Sequence, residues 1–296
     1  MNEYHESVLL KEAVDYLQVE KGKRYIDATL GGGGHAVEIV KQGGKVLGID
    51  VDEEAVGYVG DRIKNQESGI KRDKDLVLYR GNFRELGKIA KESGFEKVAG
   101  ILFDLWVSSW QFDTGGRGFS FQKDAPLDMR MDLGLSVSAG DLVNGLTRNE
   151  LSELFWKLGE EKFAKKIALA IDNYRKNKKI ESTRELAELV ERTVRRSEKI
   201  HPATRIFQAL RIAVNGELES LREALPQAVE LLEPGGRVVV ISFHSLEDRI
   251  VKNSFSGFAE SGFGRIITRK PVEVSELEVE KNRRARSAKL RVFEKK

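Results

Sequence analysis

Residues 25–52 open with Tyr25-Ile-Asp-Ala-Thr-Leu30 and continue through four glycines (Gly31–Gly34), His35 and a helix-compatible run to Gln42. Gly43-Gly44 follow, and then Val46-Leu-Gly-Ile-Asp50-Val-Asp52. The order is strand, glycine turn, helix, strand, acid. Ile26 to Leu30 reads as a short apolar strand, Ala36 to Gln42 as a helix stopped by Gly43-Gly44, and Val46 to Ile49 as a second strand ending on Asp50. Such a unit opens a crevice at the carboxyl ends of parallel strands. Glycines let a ligand approach the backbone, and an acid at the second strand's tip can accept from ribose hydroxyls. The stretch therefore predicts an adenosine-containing cofactor. Gly31, Gly33 and Ala36 also satisfy G-x-G-x-x-A, so a nicotinamide dinucleotide stays open at this point, as does a loop with no ligand.

Composition narrows the class. The chain has 296 residues, 40% of them apolar, enough for one large domain or two smaller ones. A third of the residues are charged yet the formal net charge is only +3, which describes a solvated surface rather than a nucleic-acid-coating one. No cysteine is present, so disulfides, thiolate metal sites and cysteine nucleophiles are excluded. Met1 to Leu10 lacks an apolar signal core, and no apolar run approaches the roughly 20 residues that cross a bilayer. A soluble cytoplasmic protein without a membrane partner is expected.

Strand-like and helical patterns alternate through the first third. Leu76 to Tyr79 is a third strand, Arg84 to Lys91 a helix, and Val98 to Leu105 a fourth, nearly all-apolar strand, as expected for one buried on both faces. Alternation of this kind implies a doubly wound parallel α/β sheet. Residues 106–145 break the rhythm. Helical signals follow: the T-x-x-E box of Thr147 and Glu150, a second box at Ser182 and Glu185, and a helix over Ala203 to Val214. Leu218 to Leu232 is helical with a kink expected at Pro226. Pro234-Gly-Gly236 is read as a turn, Val238 to Phe243 as a fifth strand, Leu246 to Phe255 as a helix, and Arg265 to Thr268 and Leu290 to Phe293 as the last strands. Residues 1–112 and 215–296 are thus expected to form one discontinuous α/β domain, interrupted by a helical insertion over 113–214.

Asp104 ends the fourth strand and should flank the same crevice as Asp50. Beyond it, Ser108, Ser109, Gln111 and Asp113 precede Arg117-Gly-Phe-Ser-Phe-Gln-Lys-Asp-Ala-Pro-Leu-Asp-Met-Arg-Met-Asp132. Aromatics beside arginines can clamp a nucleobase or a phosphate. Phe119, Phe121, Leu127 and Met129 can equally anchor an ordered loop, with Arg117, Asp128 and Arg130 as ordinary ion pairs.

Five segments, in order and covering nearly the whole chain, resemble the MraW (RsmH) family of S-adenosylmethionine-dependent ribosomal RNA cytosine-N4 methyltransferases. They are His5-Glu-Ser-Val-Leu-Leu-Lys-Glu-Ala-Val14, Tyr25 to His35, Arg117 to Asp132, His201-Pro-Ala-Thr-Arg-Ile-Phe-Gln-Ala-Leu-Arg211 and Ile241-Ser-Phe-His-Ser-Leu-Glu-Asp-Arg-Ile-Val251. The resemblance implies a class I methyltransferase (Rossmann-like) sheet with an inserted helical domain. It also implies methyl transfer to the exocyclic amine of one cytidine in the decoding region of small-subunit (16S) ribosomal RNA. Carried onto this sequence, the cofactor contacts fall on Gly33, Gly34, His35, Asp50, Phe83, Asp104 and Gln111. Asp104, helped by Ser108, is expected to act on the amine. Arg117, Phe119, Asp128, Arg130, His201 and Arg205 are the expected substrate contacts, and the insertion the expected pocket floor. The partner implied is 16S ribosomal RNA or the small ribosomal subunit, with the protein a monomer or a homodimer.

One departure stands out. After the fourth strand the family runs Asp-Leu-Gly-Val-Ser-Ser-Pro-Gln-Leu-Asp, whereas here Trp106 and Trp110 take the glycine and proline positions. A left-handed glycine there would make an indole a steric problem, and a fold retained without turnover is the rival reading. Contact with an RNA backbone needs positive charge. Three basic groups qualify: Lys162, Lys165 and Lys166; Arg192, Arg195, Arg196 and Lys199; and Lys281, Arg283, Arg284, Arg286 and Lys289. The second and third are favoured because acids do not balance them locally. His244 follows the fifth strand, where S-x-x-E capping of the next helix explains much of Ser-Leu-Glu-Asp. No nucleophile elbow and no metal-ligand spacing is present, so no metal is expected.

Overall fold

Strands whose successive side chains are apolar on both faces need cover on both faces, and the parallel part of this sheet has it. The computed structural model describes residues 7–65, 69–71, 73–106, 116–194 and 201–296. Two compact units divide the chain, Met1–Trp106 with Leu218–Lys296, and Val107–Glu217.

The first unit holds β1 (Arg24–Asp27), β2 (Lys45–Asp50), β3 (Leu76–Arg80), β4 (Val98–Asp104), β5 (Leu232–Ser242), β6 (Gly264–Ile266), β7 (Val272–Glu273) and β8 (Lys289–Lys295). Their order is β3-β2-β1-β4-β5-β8-β6, with β7 also paired to β8. The pairs among β1 to β5 are parallel, and β8 runs antiparallel to its neighbours. Alternate residues feed two cores. Ile26, Ile101, Phe103, Val238 and Val240 enter one; Tyr25, Leu102, Val239 and Ile241 enter the other. The helices that cover them are α1 (Leu10–Leu17), α2 (Gly34–Lys41), α3 (Glu53–Asn65), α4 (Leu86–Glu92), α10 (Glu217–Leu231), α11 (Ser245–Glu260) and α12 (Glu276–Lys281). Strand order reverses at β1, with β2 on one side and β4 on the other, and a crevice opens at such a switch point.

Two local expectations change. Pro234-Gly-Gly236 lies inside β5 rather than between elements. Register jumps there from Val98↔Leu232 to Gly100↔Arg237, so the extra residues bulge out of the ladder. Gly235 supplies the left-handed backbone at φ +81°. Pro226 sits within α10, and the helix continues through it to Leu231.

The second unit packs α5 (Ala139–Gly145), α6 (Arg148–Gly159), α7 (Ala164–Arg175), α8 (Thr183–Val194) and α9 (Thr204–Asn215) around their own apolar core. Thr147 and Glu150 form the expected capping box, each side chain bonded to the other's main chain. A second box, Ser138 with Asp141, starts α5 inside the stretch that showed no periodicity. Helix α6 packs on α7 and α9. A Cβ on Gly159 would lie 2.6 Å from the Arg205 carbonyl oxygen, so only glycine lets α6 and α9 approach this closely. Gly159→Ala is therefore expected to destabilise the helical unit by about 1–3 kcal/mol through overpacking against backbone, read as a lower denaturant midpoint.

Candidate active site

Three carboxylates end three adjacent parallel strands: Asp50 on β2, Asp27 on β1 and Asp104 on β4. The glycine turn runs between them. Asp50 accepts from the Gly31 N–H (2.8 Å) and from the Asp52 N–H (2.9 Å), tying the turn to the tip of β2. Thr29 Oγ1 accepts from the Asp104 N–H at 2.6 Å, tying it to β4. Asp27 accepts from the main chain of Thr29 and of Ala36 in the first turn of α2, a helix whose N-cap, Gly33, has no side chain to offer. Gly31 and Gly33 take positive φ, +48° and +74°. A Cβ on Gly33 would lie 2.9 Å from Val59, so this turn demands glycine on both counts.

Burial dominates the electrostatics. It raises Asp27 to about 7, with the Asp50 charge adding to the rise. It raises Asp104 to about 8, helped by Asp27 and Glu247. Asp50 is raised only to about 6, because the N–H groups of Asp52 and Gly31 favour its charged form. The row cannot ionise fully near neutrality unless a cation joins it. His35 lies in the first turn of α2. Burial lowers it to about 4, against a main-chain hydrogen bond to Val8, so its ring is neutral. Its Nδ1 stands 3.6 Å from Asp104 Oδ2, beyond hydrogen-bond reach. Its Nε2 is buried with no hydrogen-bond partner among the described residues. Phe83 opens the 3₁₀ turn after β3 and meets Phe103 edge-on at 5.7 Å.

These features fit the cofactor that the resemblance implies. S-adenosylmethionine carries a sulfonium and an ammonium against one carboxylate, which suits a row of acids. The polar Nε2 of His35 offers an otherwise unmet hydrogen bond. The glycines leave main-chain N–H groups open to approach.

Asp27 was not singled out in the sequence. The apolar run Ile26 to Leu30 reads as one strand, whereas β1 stops at Asp27; an acid closing an apolar run, as at Asp50 and Asp104, is the available signal. Ser108, Gln111, Trp110 and Asp113 lie outside the described residues. Trp106 is described, and its backbone is not among the left-handed positions. Its ring packs on Phe243 with centroids 4.5 Å apart, so the indole is accommodated without the strain that a glycine position suggested. The helix after β5 is capped by His244, not by a serine. His244 Nδ1 accepts from the Glu247 N–H (3.4 Å), and Glu247 Oε2 accepts from the Phe243 N–H (2.8 Å). That task is structural.

The expected substrate residues fall in the second unit. Asp128 and Arg130 form a two-bond fork at 2.7 and 2.8 Å, and Arg130 also donates to the Leu135 carbonyl at 2.7 Å. Arg117 donates to the carbonyls of Arg130 (2.9 Å) and Met131 (2.6 Å). Phe119 is a core side chain, only 5% exposed, and not a free stacking surface. His201 is exposed, accepts from the Ala203 N–H through Nδ1 (3.2 Å) and stacks on Phe121 at 4.5 Å. Arg205 reaches the Glu160 carbonyl.

The doubly wound sheet, with a glycine turn at its switch point and a separate helical unit, has the fold of a class I methyltransferase. The profile of the MraW methylase family matches residues 2–296, and the chain belongs to that family. The chain is also similar to solved structures. An rRNA methylase from Streptococcus thermophilus shares 12% identity, covering 97% of this chain and 93% of that one, with a TM-score of 0.45. An rRNA methylase from Clostridium thermocellum shares 13% identity over 99% and 100%, with a TM-score of 0.43. A methyltransferase from Streptococcus mutans in complex with SAH shares 13% identity over 99% and 100%, with a TM-score of 0.46. Among the described residues, no helix is long and apolar enough to cross a membrane.

The raised carboxylates set a pH dependence. A folded-state value above the ordinary 3.8 means that folding favours the neutral acid. That stability is fully present below about pH 4 and is withdrawn as pH rises through about 6 to 8. The protein without cofactor should therefore melt at lower temperature at pH 8.5 than at pH 5.5, by about 2–4 °C per kcal/mol lost. Asp27→Asn, which still accepts hydrogen bonds but carries no charge, should flatten that slope in a thermal scan.

Proposed function

We propose that this protein transfers a methyl group from S-adenosylmethionine to the exocyclic N4 amine of a specific cytidine in the decoding region of 16S ribosomal RNA. Membership of the MraW methylase family over residues 2–296 supports methyl transfer, and the five family-like segments support the base and its position. The observation that carries the chemistry is the acid row: Asp104, the member raised furthest, keeps its side chain about 14% exposed at a strand tip. Of the proposed substrate residues, His201 offers an exposed ring, while Arg117, Asp128 and Arg130 shape the loop that precedes α5. The proposed partner is the RNA or the small subunit, met in the cytoplasm by a monomer or a homodimer.

When bound, the cofactor supplies an electrophilic methyl on a sulfonium. The chain's residues do the rest. Asp50 is placed to accept from the ribose hydroxyls, Phe83 to pack on adenine, and the glycine turn to bring main-chain donors to the methionine end. A cationic neighbour lowers the carboxylate values, so Asp104 becomes ionised when the donor is in place. Ionised, it accepts from the cytosine N–H, loosening the nitrogen lone pair from the ring. With the donor held there, its methyl would pass to the cytosine nitrogen that Asp104 positions, and the methylated nitrogen would release its extra proton to solvent. A strong base is not needed; alignment of nitrogen, methyl and sulfur can supply roughly 7–11 kcal/mol. The target base must be unpaired or flipped out.

Two measurements test this. Asp104→Asn should lower labelled-methyl transfer to small ribosomal subunits by about 10²–10⁴-fold, far more than it weakens donor binding in calorimetry. Unchanged turnover would remove Asp104 from the mechanism, and mass spectrometry of ribosomal RNA fragments would show whether the mark sits on cytidine N4. Donor affinity should rise with pH through about 6 to 8, with proton release on binding. S-adenosylhomocysteine, which lacks the sulfonium charge, should gain less.

A further inference from the structure

Helix α6 turns Leu151, Phe155 and Gly159 into the core of the inserted unit. The face beside it presents Arg148, Ser152 and Trp156 at four-residue steps. Helix α7 buries Ala164, Ile167, Ala168 and Ile171, and so presents Lys165, Lys166 and Leu169. A groove of about 1060 Å³ runs between these faces. Trp156 in it is 60% exposed, Phe163 38% and Leu169 42%. Single exposed apolar residues are ordinary, but a contiguous patch marks an interaction surface.

Charge identifies the occupant. Arg148, Lys162, Lys165 and Lys166 line the groove, and none forms an ion pair among the described residues. Glu153, the acid in the lining, is held by Lys157. Lys165 and Lys166 stand in the first turn of α7, which has no acid. There the helix dipole opposes cations and favours anions. A bound polyanion would be favoured by the lysines and the dipole together. An apolar protein helix would leave four cations unanswered.

We infer that this groove holds an unpaired stretch of RNA, with a base stacked on Trp156 and phosphates against Lys162, Lys165, Lys166 and Arg148. The inference rests on the reading of the chain as an RNA methylase and adds to it a binding surface within the insertion. It draws on the first of the three basic groups. Among the others, Arg195, Arg196 and Lys199 lie outside the described residues, and Arg192 is paired with Glu188.

The test uses the full chain and a labelled, unstructured oligouridine, followed by fluorescence anisotropy. Trp156→Ala should weaken binding about 5- to 150-fold, the range for losing one base–aromatic stack, and Trp156→Phe should restore most of it. Lys165→Gln with Lys166→Gln should reduce the slope of log affinity on log salt by about 1.4. S-adenosylhomocysteine affinity, measured alongside, should match the wild type in every variant, as evidence that the fold is intact. Wild-type affinity for oligouridine in Trp156→Ala overturns the groove assignment while leaving methyl transfer to ribosomal RNA in place. A wild-type protein that binds donor but methylates no ribosomal RNA overturns the reading beneath it.

Discussion

Carboxylates crowded at the ends of neighbouring strands repel one another, and with little water around them they resist ionising. In this molecule Asp50, Asp27 and Asp104 stand in that relation across the switch point of the sheet. Parallel pairing puts them there, with Asp27 opposite Gly48 and Leu102 and the acids of β2 and β4 two residues further on. Asp50 and Asp27 are fastened by main-chain donors that include Gly31 and, in α2, Ala36, and the Asp104 carboxylate by the Trp106 N–H. The arrangement holds as neutral acids or with a cation among them. A chain that must bind a sulfonium and an ammonium gains by keeping such a row, since the electrostatic strain of the free protein is released on binding.

The glycine turn follows from the same constraint. The turn must donate to Asp27 and Asp50 and accept from the Asp104 N–H within a few residues, and it does so on a tight path with Gly31 and Gly33 at positive φ. Side chains there would also fill the approach. With no side chain at the N-cap of α2, the Asp27 carboxylate takes over the capping of that helix from the end of β1. One carboxylate thus serves the fold and the site, which is why Asn is the informative substitution and Ala would confuse the two roles.

Local signals were legible where they are strong. Apolar runs closed by acids located β2 and β4, and T-x-x-E located the start of α6. Signals were weak where residues break the pattern. Helix α3 contains Gly57 and Gly60, which dilute its periodicity, yet Gly60 is buried against the sheet unit's core. Helix α5 hid in a polar, glycine-rich stretch because its start depends on the Ser138–Asp141 pair rather than on an apolar stripe. The sequence suggests a serine cap before α11, whereas His244 caps it, its Nδ1 accepting as a carboxylate would. Asp27 is hidden in the sequence because nothing there says where a strand stops when the run continues past it through Ala28 to Leu30.

The loop before α5 shows how family-like residues can serve shape. Its charged members bond mostly to each other and to the loop's own carbonyls. Met129, fully buried, holds a left-handed φ of +63°, a conformation unfavourable for any residue but glycine. Gly118, at φ +72°, leaves space beside Pro126 that a Cβ would close to 2.3 Å. Strain of this kind persists only where the surroundings over-determine the backbone. Here Asn215 does so, accepting from the Met131 N–H at 2.7 Å and donating to the Met129 carbonyl at 2.8 Å. A loop so braced does not wait for its ligand to order it. Any contact it makes with RNA is prepaid in folding, so its arginines contribute by fixing geometry and not by supplying free charge.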